Sequence, residues 1–211
     1  MILEPAMTEY LSGLEPEPDP LLAEMRAHGA RDHIPIVEHV TGGLLEVVAA
    51  SSGATRAVEV GTAIGVSTLH LARGGAHVTS FEVDPDRHEQ AKRYLARDGR
   101  AEQVDLRLQD AAEGLAALEP ATFDLGFIDG PKTGYTTYLD QIVTLLRPGG
   151  MLLADNVLMG GGAATGEPTN QWSAERIAFI REFNAGLKAR ADLRVTFLPV
   201  GDGVALGVRL S

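Results

Sequence analysis

Residues 57–83 read AVEVGTAIGVSTLHLARGGAHVTSFEV, and this stretch decides the fold class. AVEV (57–60) is a short apolar run ended by glycine, and HVTSFEV (77–83) is a second run rich in β-branched and aromatic residues. Residues 66–73 between them read as a helix. Two strands joined through a helix pair in parallel, because only a crossover long enough to return to the same edge allows it.

The same alternation extends downstream. Pro85 fits the first turn of a helix running to about Asp98. VDLRL (104–108) is the third strand, followed by a short helix near 111–118. FDLGFI (123–128) is the fourth, with a helix over 135–146 closed by Arg147-Pro148-Gly149-Gly150, and MLLA (151–154) is the fifth. This spacing predicts an α/β fold: a mostly parallel sheet with helices on both faces. The end departs from it. After a helix over 173–190, LRVTFLPV and VALGVRL are joined by Gly201-Asp202-Gly203, a hairpin whose last strand runs antiparallel to its neighbour.

Upstream, Val37, Val40, Leu44 and Val48 recur at helical spacing, with Leu45 widening the stripe. Gly42 and Gly43 weaken that helix, so packing must hold it. EPEPDP (15–20) reads as an extended spacer between two short helices. MGGGAATGEPTN (159–170) reads as a long flexible loop of the lid or binding kind.

With 211 residues, 45% of them hydrophobic, the chain is sized for one well-buried core, so 1–211 is read as a single domain. A formal charge of −11 disfavours a broad nucleic-acid footprint. The absence of cysteine excludes disulfides, thiolate chemistry and zinc–thiolate sites. MILEPAMTEY carries no secretory pattern, and no apolar run approaches the roughly 20 residues of a spanning helix, so a cytoplasmic protein is expected, not a membrane one.

Chemistry-bearing residues gather at the carboxyl ends of the strands, where open parallel sheets bind their ligands. VEVGTAIG presents a glycine turn and a helix start, yet no G-x-G-x-x-G passes through Gly61 and Gly65, which argues against a dinucleotide. Glu59 would favour a ligand ammonium or sulfonium over a diphosphate. Glu82, 21 positions after Gly61, suits a ribose diol, with Asp84 as a competitor. Asp110 either borders an adenine or caps the following helix. Asp129 and Asp155 end two strands, and Asn156 adds a neutral oxygen. On adjacent strands about 4.8 Å apart, both carboxylates reach one cation. Oxygen donors alone favour Mg²⁺, Mn²⁺ or Ca²⁺. Lys132 would stand beside such a cation, with a depressed pKa and the makings of a base.

VEVGTAIGVSTLHLA, FEVDP, FIDGPKTGYTTYLD, LLRPGGMLLADNVLMGG and LPVGDGVALGVRL together resemble the cation-dependent, S-adenosylmethionine-dependent O-methyltransferases of the catechol and caffeoyl-CoA type, over roughly residues 35–210. The resemblance implies a Rossmann-like seven-stranded sheet with an antiparallel final strand. It implies cofactor contacts from Glu59, Gly61, Ser67, Glu82, Asp110, Ala111 and Asp129. It further implies metal ligands at Asp129, Asp155 and Asn156, a catalytic Lys132, and a small aromatic hydroxyl acceptor. Such enzymes form homodimers, with an N-terminal helical segment, here 1–34, near the acceptor entrance and the catalytic core in 35–211. Met159 stands where the family often has tryptophan, so the acceptor is open. Competing readings are a methyltransferase acting on a hydroxylated tRNA base, a nicotinamide-dependent oxidoreductase, and a non-catalytic S-adenosylmethionine-binding protein.

Overall fold

Both sides of the central strands are apolar, so layers of helix must cover each. In the computed structural model, which describes residues 5–14, 16 and 19–210, they do. The elements are α1 (Pro5–Ser12), α2 (Pro20–Asp32), α3 (His39–Ser52), β1 (Arg56–Val60), α4 (Val66–Arg73), β2 (His77–Glu82), α5 (Pro85–Arg97), β3 (Val104–Leu108), α6 (Ala111–Ala116), β4 (Phe123–Ile128), α7 (Tyr135–Leu145), β5 (Leu146–Ala154), α8 (Gly162–Thr165), α9 (Ala174–Ala189), β6 (Leu193–Leu198) and β7 (Val204–Arg209). Among the described residues the seven strands form one sheet, ordered β3-β2-β1-β4-β5-β7-β6. The five strands β1–β5 pair in parallel, while β7 lies between β5 and β6, antiparallel to both.

Alternation along each strand sorts the core into two halves. Val58, Val60, Phe81, Ile128, Leu152 and Ala205 pack with Ile142 of α7 and with Ile177 and Phe183 of α9. Ala57, Val78, Leu125, Phe127, Leu153 and Val204 face Met25, Leu45, Leu69 and Leu95 of α2 to α5. Fully burying each large side chain is worth about 1.5–3 kcal/mol. Gly126 is required for one of these layers: a Cβ there would lie 2.3 Å from Ile142 Cγ2, so α7 could not seat. Gly42 and Gly43 do lie inside α3, whose face is held by Leu45, Val48 and Ala49.

Three expectations change. The Arg147–Gly150 turn does not precede β5 but bulges inside it. Leu146 pairs with Phe123 and Met151 with Leu125, so 147–150 loop out opposite Asp124 alone. The glycine-rich stretch is not a structureless loop, because it contains a 3₁₀ turn at Met159–Gly161 and then α8, with Met159 and Gly162 buried. Close packing explains this, since a Cβ on Gly162 would meet Ile177 Cδ1 of α9 at 2.5 Å. The spacer reading of 15–20 falls partly on Glu15, Glu17 and Pro18, which lie outside the described residues, as do residues 1–4. Where the chain is described again, Asp19 caps α2, accepting the Leu22 N–H at 2.9 Å. Among the described residues no helix is long and apolar enough to cross a membrane.

Candidate active site

Strand register builds the site. Val60 pairs with Phe81 and with Ile128, and Ile128 pairs with Ala154. The next residues, Gly61, Asp129 and Asp155, therefore leave the sheet in one row. Gly61 has φ +96°, and a Cβ there would lie 2.4 Å from the Asp129 carbonyl oxygen. Only glycine lets the two turns approach this closely. They open onto a cavity of about 570 Å³, within the range of small-molecule sites.

One end of the cavity suits a nucleoside. Glu82 is buried and its carboxylate accepts the N–H groups of Ala63 (2.8 Å), Val83 (2.8 Å) and Asp84 (2.9 Å). Three amides fix the orientation of the group, with lone pairs left for hydroxyls. Asp84 is otherwise engaged: it caps α5, accepting from the N–H groups of Asp86 and Arg87. Glu82, not Asp84, lines the cavity. Asp110 does both things expected of it, capping α6 through the Glu113 N–H at 3.1 Å while lining the cavity beside Ala111. Ser67, in the first turn of α4, also lines it.

Glu59 sits apart from the other residues expected to meet the cofactor. It is fully buried on the α4 side of β1 and does not line the cavity. Thr68 and Ser80 donate to its Oε2, the latter at 2.6 Å. Burial pushes its carboxyl up to about 7 against hydrogen bonds from Ser67, Ser80 and Thr68. It stands behind Ser67, bracing the turn from within the core.

The other end holds the strand-tip oxygens. Lys132 Nζ donates to Asn156 Oδ1 at 2.7 Å, to Tyr135 Oη at 2.5 Å and to Asp129 Oδ1 at 3.3 Å. Tyr135 Oη in turn donates to the Asp155 carbonyl at 3.1 Å. Asn156 takes φ +59°, the left-handed region, which turns its amide back toward the lysine. Asp155 is buried and accepts the Asn156 N–H at 2.8 Å, but does not itself line the cavity. Burial raises the carboxyls of Asp129 and Asp155, and the repulsion of Asp129 raises Asp155 further. A buried acid and a half-buried one that repel each other mark a place that favours a cation. Lys132 supplies one charge there.

Among the described residues no three His, Cys, Asp or Glu side chains group to hold a metal. A metal site here therefore depends on the amide of Asn156 as a third oxygen. The donor set of two carboxylates and an amide fits a hard divalent cation.

Four further residues belong to the site. Tyr135 anchors Lys132 and its ring lies 4.5 Å from Nζ. Trp172 places its ring 5.7 Å from Nζ and lines the cavity with Arg176. Asp202 accepts the Trp172 indole N–H at 2.7 Å. The i, i+3 spacing of Lys132 and Tyr135 is a local signal that sequence reading can use. Trp172 and Asp202 are 30 positions apart, and nothing local joins them.

The order of the strands, the antiparallel seventh strand and the cavity over their carboxyl ends define the class I S-adenosylmethionine-dependent methyltransferase fold. Within that class the chain belongs to the O-methyltransferase family, whose sequence model matches residues 14–210. It is 33% identical over 179 residues to a catechol O-methyltransferase of Mycobacterium tuberculosis, covering 82% of this chain and 81% of that protein. It is 32% identical over 165 residues to a probable caffeoyl-CoA O-methyltransferase 1 of Dictyostelium discoideum, covering 75% of this chain and 70% of that one. An O-methyltransferase from Bacillus cereus, solved in complex with SAH, superposes with a TM-score of 0.82 at 26% identity, over 97% of each chain.

Proposed function

We propose that this enzyme moves the methyl of S-adenosylmethionine to a hydroxyl of a catechol-like aromatic molecule, with a divalent cation held by Asp129, Asp155 and Asn156. The observation that carries this reading is the meeting, in one cavity, of a carboxylate wired to three amides (Glu82) with the Asp129–Lys132–Asn156 cluster. The names of the mycobacterial and Dictyostelium relatives support the acceptor class.

In this reading Glu82 accepts the ribose hydroxyls. Asp110 and Ala111 flank the adenine, and the Gly61 turn with Ser67 holds the amino-acid end. A hard cation bound at the strand tips supplies Lewis-acid stabilisation of an ionised hydroxyl. Lys132 faces the same oxygen. Its three ammonium hydrogens already have acceptors, so Nζ supports the anion electrostatically, and the hydroxyl proton leaves to solvent through the cavity mouth. The phenolate oxygen then bonds to the methyl carbon as the carbon–sulfur bond breaks. Alignment of oxygen, carbon and sulfur supplies several kcal/mol of the rate.

The test is turnover of labelled S-adenosylmethionine with a panel of vicinal-diol aromatics, read by product mass, with and without a chelator. Methylated catechols in the presence of Mg²⁺ are expected. A panel that yields no methylated product, while the protein binds the cofactor, would overturn the acceptor class.

A further inference from the structure

We infer that Asp202, at the tip of the β6–β7 hairpin, positions Trp172 as the wall that grips a planar acceptor beside Lys132. The inference rests on the methyl-transfer reading for the nature of the acceptor, but not for the clamp itself.

The hairpin tip reaches across to the segment between β5 and α9 and holds it at several points. The Asp202 carboxylate accepts the Trp172 indole N–H through Oδ2 at 2.7 Å and the Gly160 N–H through Oδ1. Its carbonyl accepts the N–H groups of Leu158 (3.1 Å) and Met159 (3.3 Å). Gly203, the next residue, accepts the Val157 N–H at 3.0 Å, and a Cβ on it would lie 2.4 Å from Leu158 Cγ. Trp172 is further tied to the glycine-rich stretch by mutual bonds with Thr169, which donates its N–H to the Trp172 carbonyl at 3.0 Å and accepts the Trp172 N–H through Oγ1 at 3.1 Å.

A half-buried indole with its N–H tied to a carboxylate cannot rotate freely, so its ring is fixed over the site. Lys132 Nζ then lies close to two aromatic rings, Tyr135 at 4.5 Å and Trp172 at 5.7 Å. Tyr135 is buried and belongs to the core, whereas Trp172 faces the cavity. An aromatic acceptor whose hydroxyl meets Lys132 must lay its ring along Trp172. Asp202 touches neither Lys132 nor the cavity, so it acts through the tryptophan as a positioning residue.

The chain has a single tryptophan, so its fluorescence reports this position alone. Three variants test the inference: Asp202→Ala, Asp202→Asn, which keeps one acceptor oxygen, and Trp172→Phe. In the free protein, Asp202→Ala should shift the emission to the red and raise its quenching by acrylamide, with Asp202→Asn in between. In turnover, Asp202→Ala should raise the KM for catechol by about tenfold, the scale of one lost aromatic contact. Trp172→Phe keeps a ring but loses the N–H that Asp202 holds, so it should raise the KM for catechol to a similar extent. Cofactor affinity should be unchanged in all three. Unaltered emission and quenching in Asp202→Ala would overturn the clamp. An equal loss of cofactor and acceptor affinity would also overturn it, since that marks general loosening. If wild type methylates no catechol, the methyl-transfer reading fails, while the emission of the free variants still decides the clamp.

Discussion

The two ends of β4 carry an aspartate each, and the protein treats them in opposite ways. Asp124, at the start, accepts from the Thr55 N–H and hydroxyl, the Arg56 N–H and the Arg147 guanidinium. Burial alone would raise its carboxyl, but these donors hold it at about 2. Asp129, just past the other end, has Lys132 as a partner and a buried Asp155 nearby, and its carboxyl is pushed up. The first end spends its charge on stability. The second leaves two mutually repelling acids beside Lys132, at a cost to stability.

The largest effect that tests this contrast is removal of divalent metal. Chelation should abolish turnover and Mg²⁺ should restore it, with circular dichroism unchanged throughout. Full activity after exhaustive chelation would show that Lys132 alone satisfies the acids. Next, Lys132→Ala should lower kcat by about 10²–10³-fold with little change in cofactor affinity. Lys132→Arg separates the two roles of the lysine: an anion-supporting cation leaves Arg more active than Ala, whereas a base leaves both equally poor. Single-turnover rates with catechol decide it.

Glu82→Ala should weaken S-adenosylmethionine binding by about 10–100-fold through the loss of charge-assisted bonds. Calorimetry reads the affinity, and a wild-type value would remove Glu82 from the ribose. The smallest effect belongs to the far end. Asp124→Asn should cost about 2 kcal/mol at neutral pH while leaving kcat/KM intact. Because its folded carboxyl titrates below the unfolded one, this stability is complete above about pH 4 and is lost as pH falls toward about 2. Asp129 and Asp155 carry the opposite sign. Their folded carboxyls are raised, so the metal-free protein should lose stability as pH rises above the unfolded range near 4. Accordingly Asp155→Asn should raise the melting temperature of the metal-free protein while abolishing activity, and a lowered one would break the comparison.

Much of this was readable from the sequence. Short apolar runs ended by Gly61, Asp129 and Asp155 named the strands and the tips expected to carry chemistry. The order of the strands was not readable, since nothing local says that β7 slips between β5 and β6. The burial of Glu59 was not readable, because alternation along β1 sends it toward α4, a face that only the packed helix defines. The Arg147–Gly150 bulge looked like a break because its pairing partner, Asp124, lies on another strand. The glycine-rich stretch looked mobile because its glycines signal freedom, while here Gly162 serves close packing. Asp202 read only as a turn residue, and its real partners lie 30 and more positions away.

The interposed position of β7 also orders events in time. Until residues 204–209 leave the ribosome, β5 has an unpaired edge, and β6 has no partner in the sheet. Exposed edges of this kind recruit other chains. The hairpin that closes the sheet carries Asp202, so one late step both seals the edge and fixes the wall of the acceptor site. Pairing of the sheet edge and seating of Trp172 thus depend on the same hairpin.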